Sequence, residues 1–115
     1  MTFDVEIVLR DRNYAVTERV TRPGEPSAWT EQDVEAILKE ILLSIDRVKH
    51  PAATERHVAL RGFSWIVEPA DGGVVIAIEI PTGAAVAGPF AIGQADLDRL
   101  ITRVLAGAGP KPVIH

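Results

Sequence analysis

Residues Thr30–Lys49, TEQDVEAILKEILLSIDRVK, carry the most regular pattern in the chain. Val34, Ile37, Leu38, Ile41, Leu42, Ile45 and Val48 recur at steps of three and four. On a 3.6-residue helix they form one apolar stripe, with Glu31, Glu35, Lys39, Glu40 and Arg47 largely off it. Thr30 is placed as the N-cap, its hydroxyl accepting from the Asp33 amide, and Asp33 can answer in a capping box. Trp29 before the cap is set to pack on Val34 as a hydrophobic staple. Pro51 disfavours helical geometry at His50, so the helix is predicted to stop near Lys49.

Upstream, Phe3, Val5, Ile7 and Leu9 alternate with Thr2, Asp4, Glu6, Val8 and Arg10, the pattern of a half-buried strand. Asp11-Arg12-Asn13 supplies turn residues, and Tyr14, Val16 and Val20 resume the alternation. Residues 2–21 are therefore expected to form an antiparallel hairpin. The run Arg22-Pro23-Gly24-Glu25-Pro26-Ser27 then breaks regular structure.

Downstream, residues 56–68 read as a long strand whose apolar phase changes at Gly62. Val58 and Leu60 share one parity and Phe63, Trp65 and Val67 the other, so a bulge or bend is expected at Gly62. Ala70-Asp71-Gly72-Gly73 signals a hairpin turn, and Val74, Ile76, Ile78 and Ile80 alternate through the next strand. Residues 84–90 fit either a short edge strand or an apolar loop. A second amphipathic helix over 94–106 carries Leu97, Leu100, Ile101, Val104 and Leu105. Gly107 and Gly109 are natural stops, and Pro110-Lys111-Pro112 begins an extended tail over 110–115.

The two helices match at a constant offset of 63, Val34 falling on Leu97 and Asp33 on Asp96. Each follows a hairpin, which raises a ββα–ββα pseudo-repeat with units 1–50 and 56–107. The expected fold is α+β: one domain over residues 1–109, an antiparallel sheet of four to five strands, both helices on one face. The other face is then expected to hold Ala77 and Glu79, joined by Phe63 and Trp65.

At 115 residues the chain suits one domain, and 47% hydrophobic against 24% charged residues argues against disorder. With no cysteine, thiolate catalysis, disulfides and cysteine-held metal centres are excluded. Acids at Asp4 and Glu6 stand where a secretory signal carries lysine or arginine, and no apolar run approaches a membrane span. A cytoplasmic protein without membrane contact is expected. Sixteen acids against twelve bases oppose nucleic-acid binding, and acids interspersed among Arg10, Arg12, Arg19 and Arg22 make that stretch a solvated face.

Serines occur only at Ser27, Ser44 and Ser64, none in a nucleophile elbow. His50, Glu55 and His57 are close in sequence but match no metal-ligand spacing, and Gly83–Gly88 lacks the lysine of a phosphate loop. No metal or cofactor is expected. Glu18 shares parity with Val16 and Val20 and should point inward, needing a partner such as Arg61. Glu79 interrupts an apolar strand and could pair with the same arginine. The leading expectation is a non-enzymatic interaction module, a homodimer or partner of another protein, using Phe63, Trp65 and residues 82–90 on an open sheet face or edge. The alternative is a small ligand-binding domain or enzyme with a cleft near Glu18, His57, Arg61 and Glu79.

Overall fold

The computed structural model describes residues 1–108. The chain runs β1 (Thr2–Leu9), β2 (Ala15–Thr21), a single 3-10 turn (Pro26–Ala28), α1 (Glu31–Lys49), β3 (Ser64–Ala70), β4 (Gly73–Ile80), β5 (Gly83–Phe90) and α2 (Gln94–Ala108). The strands form one antiparallel sheet in the order β2-β1-β5-β4-β3. Both helices cover the same face: α1 lies over β1, β2 and β5, α2 over β3, and the two pack on each other. The tail expected over 110–115, with Gly109 before it, lies outside the described residues.

The alternations decide the layers. Phe3, Val5, Ile7 and Leu9 of β1 are all buried, as are Val74, Ile76 and Ile78 of β4. They meet Val34, Ile37, Leu38, Ile41, Leu42 and Ile45 of α1 and Leu97, Leu100, Ile101 and Val104 of α2. Each fully buried aliphatic side chain contributes roughly 1.5–3 kcal/mol, and the helices gain most of their stability here. The α1 cap is built as the sequence predicts: Asp33 N donates to Thr30 Oγ1 at 3.3 Å, and Thr30 N donates to Asp33 Oδ2 at 2.8 Å. The helix ends at Lys49 before Pro51. Trp29 is buried, and its ring packs edge-on against Phe90 at 5.1 Å; Phe90 in turn meets Phe3 at 4.9 Å.

Four expectations change. Residues 84–90 are neither an edge strand nor a loop: β5 is the middle strand of the sheet. Its small side chains suit that place, because Ala85 and Ala87 let α1 lie close over β5. Two residues of β5, Gly88 and Pro89, oppose Val75 alone, since Val74 pairs with Phe90 and Ile76 with Ala87. This bulge accommodates a proline inside a strand and shifts the parity, so Phe90 rather than Pro89 turns into the core.

The long strand expected over 56–68 begins only at Ser64. Residues 55–63 are irregular, with Gly62 at φ +79° and Leu60 tucked against the core. Trp65 pairs with Ile78, so it stands on the helix side and not on the open face, and Phe63 likewise packs partly against the core. The ββα–ββα repeat is not confirmed beyond the helices. The strand before α1 is an edge strand, whereas the strand before α2 is central.

Two tight turns build the β3-β4-β5 meander. Ala70 pairs with Gly73, leaving Asp71-Gly72 as the loop, with positive φ at Gly72 but not at Asp71. That combination suits a type II turn rather than the type I′ turn, which needs positive φ at both positions. Gly73 itself, at φ +143°, lies so close to the Phe90 carbonyl that a Cβ could not be added without moving the backbone. Pro69 sits in β3, an outer strand, where a missing amide hydrogen is tolerated.

Candidate functional site

Cross-strand partners in an antiparallel sheet share a face, so the register defines the uncovered side. One row runs Ile66, Ala77, Val86, Glu6, Thr17 from β3 to β2. The row on one side is Ser64, Glu79, Ala84, Val8, Ala15; on the other stand Glu68, Val75, Gly88, Asp4 and Arg19. Ile66, Val86 and Val8 are 51%, 42% and 44% exposed, and the remaining large exposed apolar side chain among the described residues is Tyr14, in the β1–β2 loop. A shallow depression of about 310 Å³ lies among Ile66, Ala77, Val86, Ala84, Ser64 and Glu79.

This face is an apolar centre with a polar border. Asp4, Glu6, Glu68 and Glu79 give it carboxylates, against Arg19, whose Nε donates to Asp4 Oδ1 at 3.1 Å. Val8 and Ile66 were absent from the residues singled out by sequence, and Val86 entered only as part of the 82–90 segment. For Ile66 the misplaced start of β3 hid the parity, and for Val86 the alanine and glycine neighbours carry little strand signal. Val8 was legible, an apolar residue at the polar parity of β1.

The residues expected to share a cleft are scattered. Glu18 points to the helix side as its parity implies, but its partner is Arg47 of α1, not Arg61. Glu79 is exposed on the opposite side of the sheet, across from Ser64 and Ala84, and has no ion pair with Arg61. His57 and Arg61 are exposed in the irregular segment before β3. Phe63 and Trp65 are half-buried against the core. Glu18 and Glu79 therefore do not converge on one pocket. Among the described residues, no three histidine or acidic side chains group as a metal set, and His50, Glu55 and His57 are no exception.

Among the described residues no helix is long and apolar enough to cross a membrane. No family model, curated protein or solved structure matches the chain.

Proposed function

We propose that this chain is a non-enzymatic interaction module that pairs with a second copy of itself through the uncovered sheet face. The observation that carries the reading is the placement of Val8, Ile66 and Val86 on one face with a carboxylate-rich border. Surface apolar residues are ordinary when scattered, but a clustered apolar centre rimmed by polar groups is interface anatomy.

Size and charge favour a like partner. Five strands at about 4.8 Å spacing and about seven residues at about 3.3 Å make a face of roughly 550 Å². Two such faces would remove roughly 1,100 Å² from water, near the lower limit for a specific reversible interface. A two-fold axis running along β5 lays β5 on β5, β4 on β1 and β3 on β2, keeping the cross-strand rows level. Arg19 then faces the partner's Glu68 twice, and Val86 meets Val86. An axis across the strands would instead stack Glu6 on Glu6. The first arrangement is electrostatically favoured, and a crossing angle of about 30° between aligned sheets keeps these neighbours in reach. At the β3 edge, Pro69 opposes strand addition.

Native mass spectrometry at several protein concentrations tests the reading. A concentration-dependent dimer is expected, reduced to monomer by Val86→Glu without loss of folding. A wild-type chain that stays monomeric at about 100 µM, tight enough to detect a dimer of ordinary transient affinity, would overturn it.

A further inference from the structure

Most of the basic side chains among the described residues are paired with a carboxylate. Of the eleven lysines and arginines among the described residues, eight have a carboxylate oxygen within 4.0 Å. The three without one are Arg10, Lys49 and Arg61. Two of these, Arg10 and Lys49, line the same hollow, together with His50, Arg12 and a single carboxylate, Asp11. The hollow measures about 400 Å³ and is also lined by Leu9, Pro81 and Thr82. Arg12 is paired only loosely, 3.9 Å from the highly exposed Asp11.

The chain as a whole carries a net charge of -4, so unpaired cations gathered around one concavity run against its average. Three separate segments build it: the end of β1 with its loop, the C-terminus of α1, and the β4–β5 turn. Arg10 N donates to Thr82 O at 3.0 Å, joining the first to the third, and the Arg12 guanidinium donates to Val48 O at 3.2 Å, joining the first to the second.

The C-terminus of a helix ordinarily repels an anion, because its last carbonyls point outward. Here two of the last four, Asp46 O and Val48 O, are engaged, as is the carbonyl of the capping residue His50. Asp46 O accepts from His50 N, Val48 O accepts from the Arg12 guanidinium, and His50 O accepts from both Arg56 and Ala53 N. Cations near a helix C-terminus also serve the dipole, and Arg12 plainly does. Arg10 and Lys49 remain without any side-chain hydrogen bond or ion pair among the described residues.

We propose that this hollow binds a small organic anion, its carboxylate or phosphate met by Arg10 and Lys49 and its apolar body seated on Leu9 and Pro81. A volume of this order suits a small ligand, and a mostly apolar lining with a few placed charges is the usual composition of such sites. His50 and Thr82, which also line the hollow, carry further donor groups. The site lies at the end of the sheet and leaves the uncovered face free, so it is independent of self-association.

Amide chemical shifts of the full chain, titrated separately with phenylphosphate, benzoate, inorganic phosphate and benzyl alcohol, test this. Saturable shifts at Leu9, Arg10, Lys49, His50 and Thr82 are expected with phenylphosphate or benzoate, and whichever binds tighter identifies the head group. Inorganic phosphate should bind more weakly than phenylphosphate, and benzyl alcohol should not bind. Arg10→Gln and Lys49→Gln should each weaken binding about tenfold, the loss of one charge-assisted hydrogen bond, with the melting temperature unchanged. Raising sodium chloride from about 0.05 to about 0.3 M should weaken it too. The proposal is overturned by no saturation below about 10 mM, a very weak limit even for a fragment, or by shifts that survive both substitutions. Equal binding of benzyl alcohol would overturn it as well.

Discussion

Arg47 on α1 and Glu18 on β2 are joined across the two layers, Nε donating to Glu18 Oε1 at 3.0 Å and the terminal nitrogen lying 2.9 Å from the same oxygen. The same guanidinium donates to Ser44 Oγ at 3.0 Å and lies 3.9 Å from Glu40. Glu40 in turn is 4.0 Å from Arg22. An inward-pointing carboxylate in an otherwise apolar strand is thereby satisfied from the helix above it. Glu18 is a structural tie, not a free acid or base.

Arg47→Ala should therefore destabilise the fold by about 1 kcal/mol, the upper end for a half-exposed ion pair, since both partners keep some access to water. Glu18→Gln should cost less than this. Urea melts of both single variants and the double variant check it, and a coupling energy near zero would show that the pair contributes nothing.

Ile41 is fully buried between α1 and the sheet. Ile41→Asp places an unpaired charge there and is expected to destabilise by more than about 3 kcal/mol. A thermal melt like that of the wild type would refute the assigned inward face of α1.

Trp65 and Val86 should separate folding from association. Because Trp65 stands with Ile78 on the helix side, Trp65→Ser is expected to lower stability by roughly 2–3 kcal/mol for a half-buried aromatic. Its dimer constant, measured well below the melting temperature, should change little. Val86→Glu should do the reverse. Sedimentation equilibrium paired with calorimetry distinguishes the two, and the opposite assignment of effects would mean the open face has been misplaced.

Asp33 adds a pH dependence. The backbone hydrogen bond from Thr30, then the Thr30 side-chain bond, hold its carboxyl below the usual value, with Arg22 adding a smaller effect. A lowered folded pKa means the folded state releases the proton more readily. The resulting stabilisation is complete above the ordinary carboxylate range and is lost as pH falls through the lowered value. Asp33→Asn should reduce stability at pH 7 and leave a shallower acid limb, measured by thermal melts from pH 7 down to pH 2. An unchanged acid limb would show that the capping box does not titrate as described.

Much of the layer structure was legible because it rests on local period. The stripe from Val34 to Ile45, the Thr30 cap and the stop before Pro51 together define α1, and no distant residue is needed to read them. The alternation from Phe3 to Leu9 marked which β1 residues enter the core. Where local preference is weak the reading failed. Gly83–Phe90 contains alanines and glycines with little strand propensity, yet it occupies the centre of the sheet because β1 and β4 supply its hydrogen bonds on both sides.

The candidate sites were less legible for the same reason. Period two says that Trp65 and Ile66 face opposite ways, but not which of them meets the helices. Pairing of Trp65 with Ile78 decided that. Glu18 was legible as inward, while its partner lay 29 positions away on a helix. Arg10 and Lys49 look like ordinary solvated charges in sequence, and only the approach of the β1–β2 loop to the end of α1 brings them to one hollow.

By itself, then, the amino-acid sequence determined the class of fold, the two helices with their apolar stripes, the first hairpin and the absence of thiol chemistry. These follow from interactions between residues a few positions apart. The strand order, the central place of β5, the open face of Val8, Ile66 and Val86, and the basic hollow were decided only by tertiary structure. Each depends on which distant segments exclude water together, and one sequence admits several pairings until packing selects among them.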